Sequence, residues 1–338
     1  MKAKRHEAFR RPAVRKARKI LYGQQDENEC FNLFQRCLKP LSQGCRAAVP
    51  DEFLGERLPS YEPSIRVFPQ SDAGVAGGLM SCLPSHGRVT CTRCHGDAAP
   101  QFDVSRRTEG DWRITANPLA WGSTRPEIVV LGFSKGPTQA GALAATPHDD
   151  IAFKGSRLNV GKILAHVGLI PRDEPDSLKK QVDRLIADTS GRFHFASLVR
   201  CSVERYDRKS ASWKGSGGGM LDKFIATPFG TLVATNCTTA FLRDLPEETR
   251  LIVLFGLGTG LNYVAAAYDL FRRARPGAWK MLNTVAYTDG RITVVHVEHF
   301  AAQGALIPNW LGENAHPRSE LGLLSRAAVA ASGVGGRA

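Results

Sequence analysis

The sequence predicts an α/β fold: a Rossmann-like three-layer α/β/α sandwich around a mostly parallel four-stranded sheet. Two observations carry this expectation. Four short apolar runs lead to a glycine, a cysteine or a histidine, and stretches of helical periodicity separate them. The first run is 126–132 (PEIVVLG), an uninterrupted apolar stretch typical of a strand buried on both faces. A Gly- and Ala-rich loop follows. Over 156–169, Leu158, Val160, Ile163, Leu164 and Val167 recur at helical spacing. Residues 193–199 (FHFASLV) make the second strand, and 231–245 read as helix. The third strand is 251–255 (LIVLF), with a helix after the glycines behind it. The fourth is 292–297 (ITVVHV), which leads to His299.

In such sheets ligands bind beyond the carboxyl ends of the strands. The chemistry is therefore expected at 132–136, 196–201, 256–260 and 296–300. Residues 1–87 show weak periodicity and read as a disordered or loosely structured basic extension, 88–315 as the folded domain, and 316–338 as a Gly/Ala-rich flexible tail.

The formal charge of +13 is concentrated at the start. Nine Lys or Arg stand against the single acid Glu7 in residues 1–20, an arm that can displace counterions from phosphates. No apolar segment of signal-peptide kind follows it. The most apolar long stretch, 251–271, is broken by glycines, Asn262 and Asp269, which excludes a membrane span. A cytoplasmic location is expected. There the eight cysteines would be free or metal-bound rather than paired.

Cys91-Thr-Arg-Cys94 is a C-x-x-C pair in a loop before the first strand, a spacing that lets two thiolates grip one metal or cluster. Cys201 stands at a strand exit and Cys237 in the following helical segment, and in a parallel sheet the two can converge with the pair. Four thiolates suit a [4Fe–4S] cluster or a structural zinc. Unrelated buried cysteines beside a stray C-x-x-C are the alternative without a metal. Cys94-His95 also completes C-x-x-C-H, but haem attachment by that motif requires export.

The order of these motifs resembles the iron–sulfur uracil-DNA glycosylases, over about 88–312. Gly132-Phe-Ser-Lys-Gly136 resembles their first motif, G-E-x-P-G. Phe153-Lys-Gly155 resembles an F-x-G whose ring stacks on the flipped base. Ala196-Ser-Leu-Val-Arg-Cys201 resembles T-N-V-V-K-C. Cys237-Thr-Thr-Ala-Phe-Leu242 resembles the segment that supplies the last cluster ligand, and His299-Phe-Ala resembles H-P-S. The resemblance implies a uracil-DNA-glycosylase-like fold, base excision in DNA repair, DNA as partner and a [4Fe–4S] cluster on Cys91, Cys94, Cys201 and Cys237.

It also implies roles for single residues. Gly132, Phe133, Ser134, Phe153 and Ser197 would contact the base, and His299 would stabilise charge on the departing base. Asp150, or Asp149 beside it, could position a water, and Leu306 and Ile307 could wedge into the base stack. Phe133 stands where the family has an acid, and a phenyl ring cannot activate water. Ser197 stands where an Asn reads the base edge, and a hydroxyl lacks the two-point amide contact.

Two other readings stay open. One is a DNA- or base-binding module on the same scaffold with catalysis lost. The other is a nucleoside-cofactor-dependent methyltransferase, because Gly256, Gly258 and Gly260 follow an apolar strand and Glu298 ends the next one, where an acid could bind a ribose.

Overall fold

The computed structural model describes residues 81–96, 99–215 and 220–335. The basic arm and the rest of 1–80 lie outside that range. Within the segment expected to be a loose extension, Leu83 is buried and a strand begins at Gly87.

Twelve strands and nine helices alternate along the described chain. The order is β1 (Gly87–Arg88), β2 (Arg106–Glu109), β3 (Trp112–Thr115), β4 (Leu119–Gly122), β5 (Ile128–Ser134), α1 (Pro137–Gly141), α2 (His148–Ile151), α3 (Arg157–His166) and α4 (Pro175–Ala187). Then come β6 (Phe193–Val199), β7 (Ser202–Asp207), β8 (Ser212–Gly215), α5 (Met220–Ile225), α6 (Pro228–Leu242), β9 (Leu251–Phe255), α7 (Asn262–Ala274), β10 (Lys280–Asn283), β11 (Ala286–Thr288), β12 (Thr293–Val297), α8 (Leu306–Leu311) and α9 (Arg318–Ala331).

The main sheet has eight strands rather than the four expected, in the order β1-β4-β6-β5-β9-β12-β11-β10. Its centre is the four runs picked out in the sequence. β6, β5, β9 and β12 are mutually parallel, with Ile128 opposite both Phe193 and Leu251, and Leu251 opposite Thr293. Every residue of β9 is fully buried, which explains a run with no polar alternation. The additional strands pair antiparallel at both edges, β4 on β6 and β11 on β12, so the sheet is mixed.

A second sheet of four antiparallel strands, β2-β3-β7-β8, was not expected at all. The chain crosses directly between the two sheets between β3 and β4, returning to the main sheet, and between β6 and β7, leaving it. Asn117 ties the two crossings together: its Nδ2 donates to Ser202 Oγ (3.0 Å) and its Oδ1 accepts from the Ser202 N–H (2.8 Å).

The crossover from β5 runs to one side, and those from β6 and β9 run to the other. Right-handed crossovers in opposite directions put α3 and α4 on one face of the sheet and α6 and α7 on the other. They also open a crevice beyond the strand ends where the direction reverses. The helices present apolar stripes to the sheet: Leu178, Val182 and Ile186 on α4, and Val264, Ala267, Leu270 and Phe271 on α7. Thr227 caps α6 by accepting from the Gly230 N–H (3.0 Å), and Pro228 occupies the first helical position, where no N–H is needed.

The segment after Pro317, expected to fray, instead forms α9. Its residues Ser325, Ala328 and Val329 are buried, and Ser325 Oγ donates to the His296 carbonyl (2.8 Å). Gly322 lets it approach α8, since a Cβ there would lie 2.2 Å from the Trp310 carbonyl oxygen. Among the described residues no helix is long and apolar enough to cross a membrane.

Candidate functional site

The junction of the two sheets gathers the four singled-out cysteines. Cys91 and Cys94 come from the loop after β1, Cys201 from the two-residue link between β6 and β7, and Cys237 from within α6. All four are free thiols; Cys91 is half-buried and the others are buried. They lie close enough to act on one another electrostatically. Cys201 is pushed up to about 11, by burial first and then by Cys94 and Cys91 against the opposing pull of Lys135. Cys237 is raised further, by burial and then by Cys201, Cys94 and Cys91. Cys94 is raised mainly by burial.

Each of the three buried sulfurs receives an N–H. Asn236 Nδ2 donates to Cys94 Sγ (3.4 Å), the Asn117 backbone to Cys201, and the Arg200 backbone to Cys237. Such donors stabilise thiolate and tune clusters.

The donor set tests the two metal readings against each other. A tetrahedral zinc with Zn–S bonds of about 2.3 Å needs its sulfurs roughly 3.8 Å apart. Among the described residues, the only trio of His, Cys, Asp or Glu ligand atoms within 4.8 Å is His86, His148 and Asp149, so no three of the thiols are that close. A polynuclear centre, with irons and bridging sulfides between its ligands, takes thiols at wider spacing than a single zinc does.

Two buried cations border the thiols, and sequence reasoning missed both. Lys135 is 3% exposed and Arg200 2%. The Lys135 ammonium donates to the Arg200 carbonyl. The Arg200 guanidinium lies 4.3 Å from the Phe241 ring, one turn beyond Cys237, and its Nη2 has no hydrogen-bond partner. Burial pushes Lys135 down to about 8 and Arg200 to about 10, opposed chiefly by Cys201 and by Cys237 respectively. Arg200 directly precedes a predicted ligand and Lys135 lies in the first glycine motif, but their burial has no periodic signature.

At the carboxyl ends of β5 and β6 is a cleft enclosing about 270 Å³, its open mouth included. Four of the expected base-contacting residues line it: Gly132, Ser134, Phe153 and Ser197. Trp121, Gln139, Ala152, Phe195, Ala196 and Phe300 complete its walls. Gly132 and Ser197 are register partners on adjacent strands, which brings them together. Phe153 adopts φ +51°, a left-handed conformation costing a bulky residue about 1–3 kcal/mol. Its ring meets Phe300, Phe255 and Phe195 edge-on at 4.9, 5.7 and 5.9 Å. The free interior holds about one water, so admitting a base requires its walls to part.

Phe133, expected at the base, is 1% exposed and packs on Tyr263 (4.8 Å) instead of lining the cleft. Pleat alternation turns it to the side opposite Gly132 and Ser134. Asp150 is exposed and does not line the cleft. Asp149 turns toward His86, with Oδ1 2.7 Å from Nε2. His86 Nδ1 accepts from the Gly122 N–H (3.3 Å), so its Nε2 carries a proton and offers no lone pair to a cation. His299 does not line the cleft either; it stacks on the wall residue Phe300 (4.5 Å) at the β12 exit, and Ala301 N–H donates to its Nδ1 (3.1 Å), which leaves Nε2–H as the donor of the neutral ring. Burial lowers its pKa, which favours that neutral ring. Leu306 is exposed on α8, while Ile307 is buried.

The glycines after β9 serve their own helix. Gly258 has φ +73°, and a Cβ there would lie 1.8 Å from Asn262 Oδ1 and 2.8 Å from the Tyr263 nitrogen. Glu298, the acid a methyltransferase would need for a ribose, is 3% exposed, paired with Arg318, and accepts from the His299 N–H (2.9 Å).

No protein-family profile matches the chain, and no curated protein matches it. Eight chains of known structure match. One is wild-type SMUG2 from Pedobacter heparinus, at 13% identity over 62% of this chain and 76% of that one, with a TM-score of 0.29, too low to bear on the fold.

Proposed function

We propose that this chain is a DNA-repair glycosylase-like protein that takes a deaminated base such as uracil into the aromatic cleft and hydrolyses its N-glycosidic bond. In this reading Cys91, Cys94, Cys201 and Cys237 hold a [4Fe–4S] cluster. The observation that carries it is the gathering of thiols from three distant segments beside two buried cations, on the same sheet whose strand ends build the cleft.

A cluster held there would be structural, tying the loop after β1 to the β6 exit and to α6. The remaining work falls to the chain's own groups. A flipped base stacks on Phe153, while Ser134 and Ser197 meet its polar edge. As the C1′–N bond breaks, the electron pair leaves with the base, and His299 Nε2–H donates to the carbonyl oxygen where the charge collects. Water adds to C1′ and loses a proton, and the base gains one. Among the described residues no carboxylate lines the cleft, so in this reading catalysis rests on stabilising the departing base rather than on activating the water.

That missing carboxylate also favours a second reading, a base-binding module without turnover. Single-turnover assays on oligonucleotides containing uracil, hypoxanthine or xanthine decide between them. Release of at least one base, lost in His299→Ala, supports the glycosylase. Binding of the same DNA with no release supports the module.

A further inference from the structure

We infer that Lys135 and Arg200 are the built-in counter-charges of the four-cysteine centre, so that the folded chain accommodates them well only when that centre is anionic and loaded. The inference rests on the cysteine centre proposed above but assigns a role to two residues outside it.

Burying an ammonium or a guanidinium is costly unless an anion sits beside it. Among the described residues neither Lys135 nor Arg200 has a carboxylate within 4.0 Å, although other arginines there are paired, such as Arg113 with Glu204 and Arg275 with Asp289. The groups that act on Lys135 are Cys201, Arg200, Cys237 and, most weakly, Asp103, whose Oδ1 is engaged by Asn117 Nδ2 at 2.9 Å. Those that act on Arg200 are Cys237 and Cys91. The Lys135 ammonium donates to the backbone carbonyl of Arg200, the residue before Cys201, and the Arg200 charge acts on it. The natural partner of this doubly positive pocket is the thiol cluster itself. Four thiolates around a doubly charged metal core leave a net charge of about −2, which the two cations balance. A cysteine thiol is largely protonated at neutral pH, so without a metal core to bind the thiolates the two cations lack an anion beside them.

The test compares the full-length wild type, purified anaerobically, with Lys135→Met and Arg200→Met and with the charge-keeping Lys135→Arg and Arg200→Lys. Two quantities are read: the rate of iron or zinc release to a chelator, and the urea midpoint of the loaded and the stripped protein. The methionine variants should release metal about 10- to 100-fold faster, the scale on which outer-shell partners of metal ligands act. The charge-keeping variants should stay near wild type. Stripped Lys135→Met should be as stable as stripped wild type or more so, while its loaded form is less stable.

Equal destabilisation of loaded and stripped forms, with unchanged release, would overturn the inference and leave both residues as packing. Should Arg200→Met fail to fold, Arg200→Lys decides: metal retention supports the role, and loss at the rate of Lys135→Met contradicts it. Absence of any metal from wild type defeats the cluster reading. It removes the counter-charge inference as well, whereas metal in wild type with unchanged release from Lys135→Met and Arg200→Met overturns that inference alone.

Discussion

Phe153 shows most clearly how single residues shape this molecule. An aromatic ring held at φ +51° stores strain, and strain of this kind persists where the surroundings fix a residue for a purpose. Phe153→Leu keeps an apolar side chain of similar size but removes the stacking face. Stability should change by less than about 1.5 kcal/mol in a urea titration. Affinity for a uracil-containing single strand should fall by about 1–3 kcal/mol, roughly tenfold or more. Unchanged affinity would reduce Phe153 to a core aromatic.

Much at this scale was legible. The F-x-G and C-x-x-C spacings led to residues that line the cleft or gather at the sheet junction. Phe133 was misplaced because motif order does not reveal which side of a pleat a residue faces. Lys135 and Arg200 were missed because a buried cation looks like a surface one until its neighbours are known.

Among elements, α9 departs furthest from expectation. Its Gly/Ala-rich composition suggests a loose tail, yet alanine and leucine are also strong helix formers, and tertiary contacts decide between the outcomes. Gly322→Ala tests whether α9 belongs to the core. The added methyl has no room against the Trp310 carbonyl, so the variant should lose about 1–3 kcal/mol in urea unfolding. No loss would show α9 to be detachable. The strands follow the same logic. β5, β6, β9 and β12 announce themselves because both faces are buried, whereas β10 (KMLN) and β2 (RRTE) are mostly exposed and too short to show alternation. The second sheet was therefore invisible in the sequence, and with it the junction where the thiols meet.

For the whole molecule, two histidines locked in the main sheet set a dependence on acid. His194 and His296 are fully buried, and burial holds them at about 3 and about 4 against an ordinary value of 6.5. His296 donates from Nδ1 to the Gly256 carbonyl (3.0 Å) and accepts from the Tyr287 hydroxyl (3.2 Å), a neutral ring satisfied on both sides. Above pH 6.5 neither state binds the proton, so their contribution is complete there. Between 6.5 and those depressed values only the unfolded chain takes up protons, and stability falls as the pH drops, by about 1.4 kcal/mol per pH unit for each histidine. Urea midpoints measured from pH 7 to pH 4.5 should show this decline. His296→Gln should make it shallower by about one histidine's share. A flat profile would mean the rings are protonated or solvated in the folded chain.

Iron and acid-labile sulfide content after anaerobic purification tests the proposed cluster most directly. Wild type should carry about four irons and a matching amount of sulfide per chain, with broad absorbance near 400 nm, and Cys201→Ser and Cys237→Ser should each lose them. Stoichiometric zinc with no sulfide, or a wild type as free of metal as the two serine variants, would contradict it.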